Sequence, residues 1–99
     1  MVITKISQIS VDSIGKYLRL AEITEDDREF LATLYEVAKE YIKKYTGLAE
    51  EDLDNYTDLV IACYVLIQDM YDTRTMYVDS DNVNKVVDTI LGMHQRNLL

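Results

Sequence analysis

Between Thr24 and Gly47 the chain carries no helix breaker, and Phe30, Leu31, Leu34, Val37, Ala38, Tyr41, Ile42 and Tyr45 recur three or four residues apart. That spacing is the period of one helix face. Both ends are marked. Thr24 is placed to cap the first turn, and Glu25, Asp26 and Asp27 put three carboxylates at the positive end of the helix dipole. Lys43 and Lys44 precede Gly47, which stands where a left-handed terminal residue is wanted. Glu36, Lys39, Glu40, Lys43 and Lys44 fill the other face with pairs three and four apart. The pattern predicts a helix over 25–46, roughly 33 Å long. In a 99-residue chain with no proline and three glycines, an element of that size commits the fold to helices packed on helices.

A second long helix is expected over 55–75. LVIACYVLI, residues 59–67, is apolar all round, and period alone does not separate a buried strand from a buried helix there. Ala62, a capped start at Asp54 or Asn55 with Asp58 near N3, and the polar continuation QDMYDTRT favour the helix. It should be the central element, covered on more than one side. Ser10, with Asp12 in the first turn, opens a short helix over 11–18 carrying Val11, Ile14, Tyr17 and Leu18; Gly15 weakens it. Residues 1–9 read as an irregular arm in which Val2, Ile3, Ile6 and Ile9 could pack, a pattern too short to assign, and TMYVDSD (75–81) reads as a loop. Asp81 or Asn82 would cap a last helix with Val83, Val86, Val87, Ile90 and Leu91 as its stripe. Gly92 should loosen its end, and 95–99 form a tail. The expected fold is a single all-α domain over 1–99. It is a small bundle of two long helices plus a short N-terminal helix and a C-terminal helix.

The totals narrow the function. A net charge of −8 repels a phosphate backbone and disfavours anionic membrane surfaces, so the basic footprint of a nucleic-acid binder is missing. Cys63 is the single cysteine, which leaves no intrachain disulfide or thiolate zinc cluster and fits a reducing compartment. No run reaches the ~18 apolar residues of a membrane span. A domain of this size buries roughly 60–65% of its unfolded surface, so its core is thin and suited to completion by a partner.

No specific catalytic pattern stands out. A glycine-rich phosphate loop, G-x-S-x-G and H-E-x-x-H are all absent. Asp69 and Asp72 share a helix face, and with Glu36 and Glu40 they would make a Mg²⁺ site of the all-α nucleotide pyrophosphohydrolase kind. Against this, both glutamates already have lysine partners on their own helix. A Cys63–His94 catalytic pair would need the fold to bring together two distant positions, one of them in an apolar run. No metal ligand, cofactor or catalytic residue is assigned. The eight tyrosines, against one Phe and no Trp, carry more. Tyrosine packs its ring and offers its hydroxyl, and it is enriched at interfaces. Tyr41 and Tyr45 fit the core stripe. Tyr71 and Tyr77 fall where the chain turns polar and are interface candidates, with Met76 beside them.

Taken in order, the segments resemble a known family. IS-V-D-S-I-G-K-YLRL at 9–20 is followed by EDD at 25–27 and A-K-E-Y-I-K-K-YTG at 38–47. DMYDTR at 69–74 and a final helix ending in IL at 90–91 complete the series. The series is similar to the phage head–tail connector (adaptor) family, whose members are also described as DNA-packaging proteins, and covers 9 to about 96. The resemblance implies a non-enzymatic virion protein of the head–tail junction, met in the host cytoplasm during assembly. It implies a homo-oligomeric ring under the twelvefold portal protein that extends the DNA channel, helps retain packaged DNA and docks a downstream neck or tail component. It adds Arg19 and Arg74 to the interface candidates. Arg74 would pair with Asp79, Asp81 or an acidic group of a neighbouring subunit; Arg19 would either bond carbonyls at a helix end or line the interface. A small helical regulatory module is the alternative, and the pyrophosphohydrolase comes third.

Overall fold

The computed structural model describes residues 2–79 and 82–95. A 3-10 turn, Ile6–Gln8, leads into five helices: α1 (Val11–Tyr17), α2 (Glu25–Thr46), α3 (Glu50–Leu53), α4 (Asp58–Thr73) and α5 (Lys85–His94). No strand occurs among the described residues. The expected all-α bundle of two long helices with a short N-terminal and a C-terminal helix is present.

α2 keeps the bounds its sequence dictates. The Thr24 side chain accepts from the Asp27 N–H at 3.1 Å while the Asp27 carboxylate accepts from the Thr24 N–H, also at 3.1 Å. Such a cap stabilises a helix by about 1 kcal/mol. Gly47, at φ 75°, closes the other end with its N–H on the Lys43 carbonyl. The stripe Leu31, Leu34, Ala38 and Ile42 is fully buried. It faces α4, whose Leu59, Val60, Ala62, Cys63, Leu66, Ile67 and Met70 are buried in turn. The apolar run is thus the central helix. α5 covers one side of the α2–α4 pair with Val87, Ile90 and Leu91, and α1 and the 3-10 turn pack on the other side.

Three expectations change in detail. The arm has no regular element beyond the Ile6–Gln8 turn, yet it is docked: Ile6 and Ile9 are 2% and 5% exposed and belong to the core. Three polar anchors hold it. Tyr35 donates its hydroxyl to the Ile6 carbonyl at 2.6 Å, and the Asp54 carboxylate accepts from the Ser7 N–H (3.0 Å) and hydroxyl (2.6 Å). Burial pushes the Tyr35 hydroxyl up to about 12, so it stays a donor. This use of Asp54 also explains the second correction. The acidic connector holds the short α3, neither Asp54 nor Asn55 caps α4, and α4 starts three residues later than expected, after Thr57. Third, the last helix is capped by Asn84, whose side chain accepts from the Val86 N–H at 2.8 Å, rather than by Asn82; Asp81 lies outside the described residues. Gly92 sits inside this helix, which runs on to His94. Of the expected tail only Gln95 is described.

Gly15 has a positive use. It is buried, and a Cβ there would run into the Ile23 side chain, so its lack of a side chain lets the α1–α2 connection close over α1.

The Asp54 anchor makes a prediction. Its hydrogen bonds to Ser7 hold its carboxyl below the usual carboxylate range. A depressed folded value means stabilisation that is present above the unfolded value near 4 and is lost as pH falls through the folded one. Asp54→Asn should therefore flatten the acid limb of the stability curve below about pH 4. At neutral pH it should speed amide exchange at Ile6–Ile9 ahead of global opening. Unchanged exchange in that segment would mean that the arm is held by Ile6, Ile9 and Tyr35 alone.

Candidate functional site

At the C-terminal end of α4 the chain makes a sharp stop. The Thr75 N–H bonds the Met70 carbonyl at 3.0 Å, and the Arg74 N–H bonds the Tyr71 carbonyl at 3.2 Å. This is the paired closure of a Schellman turn, which needs a left-handed residue between the two. That residue is normally glycine; here it is Arg74, at φ 56°. α1 ends the same way, with Leu20 N–H on Gly15 carbonyl (3.0 Å), Arg19 N–H on Lys16 carbonyl (3.1 Å), and Arg19 at φ 61°. These are the two non-glycine residues with positive φ among those described. Each costs about 1 kcal/mol relative to glycine.

Their side chains differ in setting. The Arg74 guanidinium lies 4.4 Å from the Tyr71 ring centroid and 5.9 Å from that of Phe30, and the two rings are 6.1 Å apart, tilted by 42°. Arg74 is thus held over an aromatic pair, at a distance where ring and cation attract. Among the described residues it meets rings rather than a carboxylate, so the expected pairing with Asp79 is not seen; Asp81 lies outside the described residues. Arg19 is exposed and its guanidinium takes no partner among the described residues. At this helix end its backbone N–H, not its side chain, bonds the carbonyl.

Beyond Arg74, Met76 and Tyr77 are 58% and 64% exposed. Tyr77 forms a wall of a cleft of about 370 Å³ between the end of α4 and the start of α5. Leu66, Met70 and Val83 supply apolar lining, and Asp69 and Asp72 stand at its edge. Neither carboxylate has a basic partner among the described residues. Burial and the nearby Asp72 charge raise the Asp69 carboxyl above its ordinary range. Of the five expected interface residues, Tyr71, Arg74, Met76 and Tyr77 therefore gather at one end of the bundle. Arg19 sits apart, at the end of α1.

The metal reading is not supported. Glu36 pairs with Lys39 and Glu40 with Lys43, both at 3.3 Å, while Asp69 and Asp72 line the cleft. Among the described residues no group of three or more His, Cys, Asp or Glu is placed to hold an ion. Nor do Cys63 and His94 form a reacting pair. Cys63 is buried, and desolvation pushes its thiol up to about 12, away from the reactive thiolate. His94 is bound elsewhere: its Nε2 lies 2.8 and 2.9 Å from the two Asp58 oxygens, and its ring is 4.5 Å from that of Tyr56. This contact joins the end of α5 to the start of α4. Nothing local in the sequence signals it, because its partners are 36 residues apart. Tyr45, assigned to core packing, also makes a polar contact, its hydroxyl donating to Asp88 on α5 at 2.9 Å.

No family model, curated protein sequence or solved structure matches this chain. Among the described residues no helix is long and apolar enough to cross a membrane.

Proposed function

We propose that the chain is a structural subunit of the phage head–tail connector type. It assembles as a ring under the portal, extends the DNA channel, helps retain packaged DNA and joins the next neck or tail component. What supports this most is the placement of its two motif arginines. YLRL and DMYDTR, which with YTG are the most telling parts of the resemblance, end two different helices in the same costly left-handed turn, with Arg19 and Arg74 at the costly position. A glycine would make each turn at lower cost. Retaining arginine at both is reasonable if the guanidinium groups serve a contact outside the subunit.

The charge fits the same role. Eighteen acidic residues against ten basic ones, repeated around a ring, give DNA a channel wall from which no counterion release rewards sticking. The thin core suits a subunit stabilised by its neighbours.

Light scattering of the purified protein, repeated with the portal protein of the same genome, tests the reading. A ring-sized species, alone or with portal, is expected. A dimer indifferent to portal would overturn the proposal and return the chain to the class of small helical interaction modules.

A further inference from the structure

The exposed turn that ends α1 and the cleft that ends α4 have opposite character. The turn presents Lys16 and Arg19, with Tyr17 40% exposed, beside half-buried Leu18 and Leu20. The cleft has a floor of Leu66 and Met70, each 2% exposed, with half-buried Val83, an aromatic wall from Tyr77, and Asp69 and Asp72, which have no basic partner among the described residues. An arginine laid into such a cleft would cover apolar surface with its stem while its head met carboxylates.

The two surfaces also lie on opposite sides of the subunit. α1 packs on the Tyr64 side of α4: the Tyr17 and Tyr64 rings stack at 4.8 Å and 19°, and the Tyr64 hydroxyl bonds Ser13 at 2.9 Å. At about 100° per residue, the five cleft-lining residues of α4 point on average about 170° from Tyr64 around the axis, Leu66, Asp69, Met70 and Thr73 on the far side and Asp72 at about 80°. The Arg19 guanidinium takes no partner among the described residues of its own subunit. A contact between two different patches on opposite sides is heterologous, and repetition of it generates a ring or a filament.

We propose that the cleft at the end of α4, with Asp69 and Asp72 at its edge, receives the α1 turn of a second copy, Arg19 seated against the two carboxylates. This deepens the connector reading and rests on its premise that copies of the chain associate. Tyr77 then flanks the contact, while Arg74, stacked on Tyr71 about 20° from Tyr64 around the α4 axis, lies toward the α1 side.

Charge reversal with complementation tests it. Arg19→Asp suits the backbone, because Asp tolerates positive φ better than most residues. Asp72→Arg places a cation near a helix C-terminus, where it is favoured. Each variant should keep the wild-type melting curve. Each alone should weaken self-association at least about tenfold by sedimentation velocity, alone or with portal present. Mixing the two should restore it, because every junction then joins either two native surfaces or two reversed ones. Ring-sized wild type with unaffected variants, or variants that stay apart when mixed, would overturn this docking and leave the connector reading standing. Wild type that never self-associates, portal included, would overturn both.

Discussion

Leu34→Ala should destabilise the folded subunit by about 2–5 kcal/mol. Leu34 is fully buried in the middle of α2, on the face that meets α4, the most thoroughly covered helix of the bundle. Removing its branched end loses the transfer free energy of the deleted carbons and leaves a cavity that two long, capped helices cannot collapse to fill. For a 99-residue domain, total stability is roughly 5–15 kcal/mol, so the loss is a large share of the whole. At about 4–8 °C per kcal/mol the melting temperature should fall by roughly 8–40 °C. Leu34→Met keeps the volume and should cost less than about 1.5 kcal/mol. Urea titration of dilute protein, where association adds nothing to stability, reads both. A loss below about 1 kcal/mol for the alanine variant would show that α2 and α4 close over the gap, contrary to close packing at this interface.

The long helix was legible because its signals agree. Period, cap, charge bias and terminal glycine in Thr24–Gly47 all specify one element, and the structure gives it the same bounds. The apolar run 59–67 was legible as central, since a segment with no polar face is expected to be covered on more than one side; Ile61, 52% exposed, is the position left open. The misread Asp54 cap, the unassigned arm and the missed His94 contact share one physical origin. Asp54 looked like a cap by position, but its carboxylate is used 47 residues away on Ser7. That long-range bond also docks the arm, whose short pattern carried no assignable period. His94 was weighed only as a partner for Cys63 and instead ties α5 to Asp58. In each case a local pattern predicted the residue's side-chain partner wrongly because the partner lies far along the chain.

The candidate site was legible in part. The abrupt change at DMYDTR marked a helix end, and the interface candidates Tyr71, Arg74, Met76 and Tyr77 do gather there. The cleft beside them was not legible, because it needs Val83 and the start of α5 to be brought against α4. The left-handed turns were hidden as well. Sequence reasoning looks for glycine at such positions, and here arginine stands at both.

That anomaly allows the role of Arg74 to be separated from its effect on folding. Arg74→Gly removes the backbone cost of about 1 kcal/mol. It also removes the attraction to the Tyr71 and Phe30 rings, which is worth about 0.5–1 kcal/mol at an exposed site. The two nearly cancel, so the isolated subunit should melt within a few degrees of the wild type, at about 4–8 °C per kcal/mol. Arg74→Ala loses the ring contact and keeps an unfavourable φ, so it should be less stable than Arg74→Gly. If Arg74 only terminates the helix, the glycine variant should assemble as well as the wild type or better. If its guanidinium meets an acidic group on a neighbouring subunit, one of the partners the connector resemblance leaves open to it, both variants should assemble at least about tenfold more weakly, since a lost charged contact at an interface commonly costs more than about 1.4 kcal/mol. The glycine variant decides between these outcomes, because its fold is spared while its side chain is gone. Assembly retained by Arg74→Gly would place the ring contact elsewhere and reduce DMYDTR to a well-made helix end. Assembly lost at an unchanged melting temperature would identify that helix end as a surface used between subunits.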